Sequence, residues 1–441
     1  MNAVEEVPST GETIEHVAKE QAVGANTKIE WCDHTFSPWR GCTKVAAGCA
    51  NCYAEAQAKR NTGTLGIWGP NGTRVVAAES AWKQVEKWDR MAKDGVCRLC
   101  NGSGRVDVAC REWDASGELI EETRRLLCHG GCYGTGNVGL YRSSVFCGSM
   151  CDVFEDWPGQ VVDSNERRLH VAPSGKWCPD GLGSPVGDAG WRPLTMSDVR
   201  NRVFNLIDAT RLTWLLLTKR PENIRPMWHW RDCGDNPGLC ENWQRKRPNV
   251  WLGTSIACQE DAERNIPELL KCRDLCRGVF LSIEPLVGPV DLTPWIDSYQ
   301  PEEAVCLPIE ERNKLGWKRT TSRRVSTIDQ VIIGGESGPH ARPCRVEWVR
   351  SIVRQCEAAG VPCFVKQFGA NVITRNDLIE DVFNDGREGW PEPDVEHNIH
   401  GFREDYQGAD CRIRLRDKKG GDPSEWPEDL RVRKLAWKGG A

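Results

Sequence analysis

The sequence contains no long apolar run. No window approaches the roughly eighteen consecutive apolar residues that a membrane-spanning helix requires. The segment Met1–Glu20 is acidic and polar, without the basic start and apolar stretch of a secretory signal peptide. These absences predict a protein of the cytoplasm, either bacterial or that of an infected host, without a membrane partner.

Excess charge is also small. The 441 residues carry a formal net charge of −5, which is not that of a protein that coats nucleic acid through charge alone. Basic residues do cluster at Arg245–Arg247, at Lys318–Arg324, and at Arg412–Lys419 with Arg431–Lys434. A local basic groove that binds nucleic acid is therefore one hypothesis, although solvated surface charge is the simpler interpretation of each cluster by itself.

Cysteine, by contrast, is abundant. The chain has 22 cysteines, and a reducing cytoplasm disfavours a disulfide framework. Metal binding is the natural alternative, and the spacing of the cysteines selects the candidates.

Short β-rich runs alternate with helical patterns along most of the chain, which predicts an α/β fold. Polar residues follow nearly every run, as they do at the active-site end of barrels, so a partial (β/α) barrel fits better than a doubly wound sheet. Helices are predicted from near Tyr53 and over Ser197–Asp208, Cys258–Lys271 and Val346–Ala359. The predicted strands are Thr27–Trp31, Val145–Cys147, Trp214–Leu217, Val250–Gly253, Val279–Ser282, Gln330–Ile333 and Pro362–Val365.

The predicted domain organisation has four parts. Residues 1–26 form a polar, disordered leader, and residues 27–375 form the barrel. Residues 92–140, rich in cysteine and glycine, form a small zinc-binding insertion within the barrel. Residues 376–441 form an irregular C-terminal extension.

Three cysteines, Cys42, Cys49 and Cys52, fall within eleven residues on a loop between the first predicted strand and the first predicted helix. A structural zinc site normally has four ligands, and no fourth Cys or His lies nearby with matching spacing. Three cysteines suit a cubane iron–sulfur cluster that leaves one iron open to a small molecule. Zinc and no metal at all are the alternatives.

A cysteine triad after the first strand, with the aromatic Tyr53 beside Cys52, resembles the radical S-adenosylmethionine (SAM) superfamily. There the open iron binds the amino and carboxylate groups of SAM, and reductive cleavage yields a 5′-deoxyadenosyl radical. The first two cysteines of that superfamily lie closer together than Cys42 and Cys49, which six residues separate in this chain. The resemblance implies a radical SAM barrel, a 4Fe-4S cluster, SAM and an external electron donor.

The chain also resembles a phage- and bacteria-borne family of uncharacterised proteins with the same three-cysteine loop. Some radical SAM proteins of phages resemble enzymes that remodel modified DNA bases, for example by radical isomerisation of a modified thymidine. The resemblance therefore implies DNA or a nucleotide as the substrate. It covers most of residues 27–375 outside the insertions, through Lys28–Trp31, Gly41–Val45, Gly48–Glu55, Gly148–Met150, Leu217–Pro221, Val250–Gly253, Ile283–Leu286, Gly334–Pro339 and Phe364–Gln367.

Two further cysteine pairs resemble half of the zinc-binding region of J-domain chaperones. Cys97 and Cys100 open a CxxCxGxG unit, and Cys128 and Cys132 open a near copy with one more residue between the cysteines. Each pair forms a tight knuckle, and two knuckles give a closed four-sulfur site without an open position. These pairs predict a structural zinc ion that stabilises the insertion.

Charged residues and glycines follow several predicted strands. Catalytic roles are predicted for Lys219, Glu284 and Lys366, because cations and carboxylates that converge on a barrel mouth can hold zwitterionic SAM and an anionic substrate such as a nucleotide phosphate. A salt-bridged barrel rim is the alternative for each of them.

The segment Gly334–Glu336 has three alternative roles. Its glycines permit a close backbone approach, so it could contact SAM, contact the substrate, or form a structural turn. The predicted cofactor-binding residues are Arg220, Ser255, Gly334, Gly335 and Glu336.

The leading hypothesis is a radical SAM enzyme that acts on a nucleic-acid base or nucleotide. The alternative is a non-catalytic Fe–S or zinc protein that binds nucleic acid or a partner protein, as the zinc pairs and basic clusters would allow. A third hypothesis, a metal-dependent hydrolase on a barrel, lacks the His-rich ligand set that such sites commonly use.

Overall fold

The computed structural model describes eleven ranges of the chain. They are residues 23–24, 27–61, 65–91, 105–113, 119–127, 143–180, 190–228, 246–296, 328–375, 394–396 and 410–438. Within these ranges, no helix is long and apolar enough to cross a membrane.

Twenty strands and seven α-helices are found in the described ranges, together with short 3-10 turns. The helices are α1 Tyr53–Arg60, α2 Glu79–Met91, α3 Met196–Ala209, α4 Ile224–Met227, α5 Gln259–Leu270, α6 Thr293–Ile296 and α7 Val346–Ala359. The strands are β1 Val23–Gly24, β2 His34–Phe36, β3 Trp39–Arg40, β4 Arg74–Val76, β5 Arg105–Trp113, β6 Leu119–Leu127, β7 Ser144–Cys147, β8 Val161–Val162, β9 Leu169–Val171, β10 Trp177–Pro179, β11 Arg192–Pro193, β12 Thr213–Thr218, β13 Arg247–Ser255, β14 Cys276–Ile283, β15 Gln330–Gly334, β16 Cys344–Arg345, β17 Cys363–Gln367, β18 Val372–Arg375, β19 Asp394–Glu396 and β20 Asp410–Arg414.

The main sheet is a curled half-barrel of seven parallel strands that lie in chain order. Hydrogen bonds join β2 to β7 and then, in turn, β12, β13, β14, β15 and β17. The two-residue strand β1 pairs antiparallel with β2 at the edge. Spatial order equal to chain order is typical of a (β/α) barrel, whereas a doubly wound sheet reverses its order. The predicted α/β fold with a partial barrel is confirmed at this level.

Six of the seven predicted strands are confirmed within a few residues, as β7, β12, β13, β14, β15 and β17. The strand prediction for Thr27–Trp31 is wrong, because the first parallel strand begins at His34. The earlier segment turns instead, and the Cys32 amide donates to the Ile29 carbonyl at 3.2 Å. Trp31 is only 2% exposed, so its apolar character reflects packing inside the half-barrel rather than strand pairing.

All four predicted helices are confirmed as α1, α3, α5 and α7. Apolar residues spaced three and four apart bury one side of each long helix against the sheet; in α7 these include Val349, Ile352 and Val353. This helix ends at Gly360, whose φ of +68° is left-handed and favours glycine.

The two faces of the half-barrel carry different cores. On β14, for example, Val279 and Leu281 belong to the core under the helices, whereas Phe280 belongs to a second cluster on the opposite face. Successive side chains of a strand point to opposite faces, so this second cluster forms the floor of the half-barrel interior. Six strands each contribute one residue to it: Phe146, Leu215, Trp251, Phe280, Ile332 and Phe364.

The C-terminal segment pairs with the last parallel strand. The Val365 amide donates to the Val432 carbonyl at 2.8 Å, and the Lys434 amide donates to the Cys363 carbonyl at 2.9 Å. These bonds cover the edge of β17 that would otherwise present unpaired backbone groups.

The same segment then reaches the residues that directly precede β2, the first parallel strand. The Trp437 indole donates to the Trp31 carbonyl at 3.0 Å, and the Lys438 ammonium lies 3.1 Å from the Asp33 carboxylate. Residues 431–438 therefore link the two ends of the seven-strand array across the interior floor. Part of the predicted irregular extension is thus built into the barrel.

The predicted zinc-binding insertion is described only in part. Its strands β5 and β6 form a hairpin in which Arg105 pairs with Leu127, so the chain enters and leaves the hairpin at the same end. The predicted zinc ligands Cys97, Cys100, Cys128 and Cys132 lie outside the described residues. The predicted leader 1–26 also lies almost entirely outside them.

Candidate functional site

The three-cysteine loop connects β3 to α1 and lies across the carboxyl ends of the parallel strands. A methyl group added at Gly48 would lie 3.3 Å from Ala257 Cβ, 3.5 Å from Pro285 Cδ and 3.6 Å from Lys219 Cε. These three residues follow β13, β14 and β12 respectively. The loop thus sits at the end of the barrel where active sites are built.

Cys42, Cys49 and Cys52 are all partly exposed. Cys49 ends the 3-10 turn Ala47–Cys49, and Cys52 is the residue before α1. Burial raises the pKa of the Cys42 thiol to about 12, and the carboxylates of Asp152 and Glu155 act in the same direction, against Arg220. The Cys42 thiol therefore stays protonated at neutral pH unless a bound metal ion displaces the proton.

Arg220 holds the first end of the loop. One guanidinium nitrogen, Nη2, donates to the Thr43 carbonyl at 2.7 Å. The other, Nη1, lies 2.8 Å from Asp152 Oδ2 and 3.8 Å from the Cys42 sulfur. The side chain is 9% exposed, so these contacts are made away from bulk water.

Arg74 and Glu155 complete this first anchor. The Thr43 amide donates to Glu155 Oε1 at 2.8 Å, and the Thr43 hydroxyl accepts from Arg74 Nη2 at 3.0 Å. Arg74 is fully buried, 2.7 Å from Glu155, and its guanidinium stacks 3.7 Å above the Trp157 ring. Every polar group of Thr43 is bonded within one buried ionic network.

Glu336 and Arg342 hold the second end of the loop. Asn51 Nδ2 donates to Glu336 Oε2 at 3.0 Å, and Arg342 Nη1 donates to the Ala47 carbonyl at 2.9 Å. Arg342 and Glu336 pair at 2.8 Å. Burial favours the neutral acid, but the hydrogen bonds from Arg342 and Asn51 outweigh it and lower the pKa of Glu336. Glu336 is therefore an ionised anchor of the cysteine loop.

The catalytic residues predicted from the sequence meet in a polar strip inside the mouth. Lys219 Nζ donates to Ser255 Oγ at 2.7 Å, and that hydroxyl donates to the Glu284 carbonyl at 3.1 Å. Lys366 Nζ lies 2.6 Å from Glu284 Oε1. Two ammonium groups and one carboxylate therefore line the mouth, with Ser282 bonded to the second carboxylate oxygen at 3.1 Å.

Gly334 and Gly335, both predicted to bind a cofactor, lie close to other parts of the chain. A Cβ at Gly334 would lie 2.7 Å from Glu284 Oε1, and one at Gly335 would lie 1.8 Å from the Phe368 carbonyl oxygen. Side chains at these positions would displace Glu284 or the backbone after β17.

Several residues that build the site were missed by sequence reasoning. Asp152 lies in Gly148–Asp152, which the sequence marks as a polar stretch after a strand, but it is not among the predicted site residues; Glu155, three residues later, carries no such mark. Arg74 and Arg342 carry no comparable signal, because neither follows a strand of the half-barrel. The sequence singles out Tyr53 only as the aromatic neighbour of Cys52. Its hydroxyl donates to the Ser149 carbonyl at 2.5 Å, and the residue is 56% exposed.

The donor set fits a cluster in number and kind. Three thiols lie on one loop of eleven residues, and cysteine thiolates are the usual ligands of iron–sulfur clusters. In the described part of the chain, no three Cys, His, Asp or Glu side chains are already gathered closely enough to hold a metal ion. Cluster binding would therefore require the three sulfurs to draw together, while the two anchors hold the loop ends.

Comparison with protein families gives one match. The family model described as "Protein of unknown function (DUF5131)" matches residues 26–177 and 193–419. No curated protein and no solved structure matches the chain.

Proposed function

This chain belongs to the DUF5131 family, and we propose that it is a radical SAM enzyme that acts on a nucleic-acid base or nucleotide. One observation carries the proposal: a loop with three cysteines lies across the carboxyl ends of a parallel half-barrel and is anchored at both ends. The resemblance to the radical SAM superfamily and to phage three-cysteine proteins supports the same conclusion.

Cys42, Cys49 and Cys52 would hold a 4Fe-4S cluster, since three thiolates leave one iron open for a small ligand. When bound, the cluster would supply one-electron reduction of SAM, and so the radical chemistry by which a hydrogen atom could be removed from the substrate. The external one-electron donor is a partner that this reaction requires.

The polar strip would orient the two ligands. Lys219 and Lys366 supply cations for the SAM carboxylate or a nucleotide phosphate, and Glu284 supplies an anion for the SAM amino group. Gly334 leaves room for Glu284, because a Cβ there would lie 2.7 Å from Glu284 Oε1. Gly334–Glu336 would act on SAM indirectly, because Glu336 pairs with Arg342 and holds Asn51 of the cysteine loop.

Tyr53 supports a base as the substrate. Tyr53 is 56% exposed and its hydroxyl donates to the Ser149 carbonyl, so part of the residue is accessible beside Cys52. Stacking of a base on an exposed aromatic ring contributes about 1–3 kcal/mol and tolerates any base. A nucleobase on Tyr53 would lie next to the cysteine loop that would hold the cluster.

The test is anaerobic reconstitution of the full chain with iron and sulfide. We expect about four irons per chain, as in a 4Fe-4S cluster, and an EPR signal of the reduced protein that changes when SAM is added. Cys42→Ala should lose the brown colour and the SAM response. Cys178→Ala, at a partly exposed cysteine on β10, should keep both.

A Cys42→Ala protein with full iron content and an unchanged SAM response would contradict the proposal. A wild-type protein that assembles no cluster would do so as well. Salt-dependent DNA binding that survives loss of the triad would then favour the alternative, a non-catalytic binding protein.

A further inference from the structure

We propose that Arg220 is a positioning residue that raises the reduction potential of the cluster through an N–H···S hydrogen bond to Cys42. This inference rests on the proposed function, since it concerns the cluster that Cys42 would help to hold. It assigns to Arg220 a role different from the direct cofactor contact that the sequence predicts.

The geometry aims one specific donor at the sulfur. Arg220 Nη1 lies 3.8 Å from Cys42 Sγ, within the range of a hydrogen bond to sulfur. The same nitrogen is held by Asp152 Oδ2 at 2.8 Å, and Nη2 is held by the Thr43 carbonyl at 2.7 Å. Because the guanidinium is planar, these two bonds fix the direction of the third.

The surroundings make this donor strong and permanent. Arg220 lies among Asp152, Glu155 and Arg74, so two guanidinium groups face two carboxylates and the network is neutral as a whole. The four side chains are at most 9% exposed. Away from bulk water, a hydrogen bond is electrostatically stronger and rearranges less readily.

The effect on a cluster follows from charge. Reduction adds one negative charge, which is shared with the cysteine sulfurs. An N–H donor next to one sulfur stabilises the reduced form more than the oxidised form, while the charge of Arg220 is offset by its pairs with Asp152 and Glu155. Hydrogen bonds to the sulfurs are among the factors that set Fe–S potentials. Arg220 should therefore make the cluster easier to reduce with a given electron donor.

Arg342 offers a matched comparison at the other end of the loop. It is also an arginine paired with a carboxylate, and it also holds the loop through a backbone carbonyl, that of Ala47. Its described hydrogen bonds go to Ala47 and Glu336, not to a cysteine sulfur. Loss of Arg342 should loosen the loop without removing a donor to the cluster.

The experiment is a redox titration of the reconstituted full chain, followed by EPR of the reduced cluster. The main variant is Arg220→Met with Asp152→Asn, which keeps the network neutral. We expect the ratio of reduced to oxidised cluster at a fixed potential to fall about tenfold, which corresponds to a midpoint potential lower by about 59 mV for a one-electron couple. Arg342→Met with Glu336→Gln, which loosens the other end of the loop without removing a hydrogen bond to a cysteine sulfur, should shift the potential less than the Arg220 variant.

Arg220→Lys provides a second variant if the double variant folds poorly. It keeps the charge but not the forked geometry, so we expect a smaller shift in the same direction. Unchanged potentials in Arg220 variants that carry full iron would overturn this inference and leave the proposed function intact. Equal shifts in the Arg220 and Arg342 variants would also overturn it, because loop distortion would then explain both. A wild-type chain without a cluster would overturn both proposals.

Discussion

The ammonium of Lys366 and the carboxylate of Glu284 meet 2.6 Å apart inside the half-barrel, with side chains 24% and 16% exposed. Sequence reasoning could place both groups at the mouth, because the carboxyl ends of parallel strands share one edge of a sheet. It could not tell that they face each other, since 82 residues separate them. Pairing at the mouth depends on the curl of the sheet, which no local pattern encodes.

We expect Lys366→Met to lower the free energy of unfolding by about 1–3 kcal/mol, because Glu284 would lose its cation in a half-buried position. Adding Glu284→Gln should restore part of that loss, since the two effects are coupled. Urea unfolding of the metal-free chain measures both. Lys59→Met, at the exposed pair with Glu55, should change stability by less than about 0.5 kcal/mol. Equal losses at Lys366 and Lys59 would mean that the pair at the mouth contributes no more than a surface pair.

Among the elements, the cysteine loop is the one whose placement depends most on distant residues. Its first end is bonded to Arg220 and Glu155, and its second end to Glu336 and Arg342. The sequence predicted the loop and the helix that follows it, because the cysteine spacing and helix formers are local signals. The anchors were not predicted as anchors, because the residues they join are up to 295 positions apart.

Hydrogen exchange should show whether the two ends of the cysteine loop are anchored independently. In Arg342→Met with Glu336→Gln, we expect faster exchange of the amides of Cys49 and Ala50, whose bonds form the turn at the second end. The Thr43 amide, bonded to Glu155, should exchange as in the wild type. Mass spectrometry of overlapping loop peptides can resolve the two ends. Equal acceleration at Thr43 would show that the loop opens as one unit and that its two anchors are not independent.

Regular elements were the easiest part of the fold to predict. Helix α7 spans Val346–Ala359 as predicted, because its apolar spacing is helical and Gly360 ends it. The strand prediction at Thr27–Trp31 is wrong because distant contacts, not the local pattern, decide the structure of this segment. Its apolar residues pack on a distant part of the chain, and tertiary contact overrode local β preference.

At the scale of the whole molecule, residues 431–438 join the last strand of the half-barrel to the residues that directly precede the first. The ring centroid of Trp437 lies 5.4 Å from that of Trp251 and 5.4 Å from that of Phe280. Its indole N–H donates to the carbonyl of Trp31, which is 406 positions away in the sequence. A closure of this kind has no sequence signature. The prediction of an irregular extension therefore described its composition and missed its place in the core.

Trp437→Ala should lower the free energy of unfolding by about 3 kcal/mol, as expected for loss of a large aromatic side chain from an aromatic cluster. Trp437→Phe should keep most of the packing and lose about 1 kcal/mol with the indole bond to Trp31. Urea unfolding of the two variants measures the difference. If Trp437→Ala cost no more than Trp437→Phe, the segment would not contribute to the barrel floor.

Buried thiols give the metal-free molecule a defined response to alkali. Burial raises the pKa of Cys276 to about 12 from an ordinary value of 9.0, and the same holds for Cys32 and Cys344. The folded state thus keeps protons that the unfolded chain releases. The stabilisation is fully present below about pH 9 and is lost as the pH rises towards 12.

Each such thiol should lower the free energy of unfolding by about 1.4 kcal/mol per pH unit in that window. Cys276→Ala should reduce the slope by about one proton, whatever its effect on stability at neutral pH. Urea unfolding under reducing, chelating conditions at several pH values above 9 gives the slope. An unchanged slope in Cys276→Ala would mean that this thiol ionises in the folded state as readily as in the unfolded chain.

The most direct test of the central proposal is the detection of 5′-deoxyadenosine. The full chain would be reconstituted anaerobically, mixed with SAM, a strong reductant and DNA or nucleotides, and analysed by mass spectrometry beside a Cys49→Ala control. We expect 5′-deoxyadenosine from the wild type and none from the control. Its absence from a wild-type chain that carries a complete cluster and binds SAM, or equal amounts from the control, would contradict the radical SAM proposal.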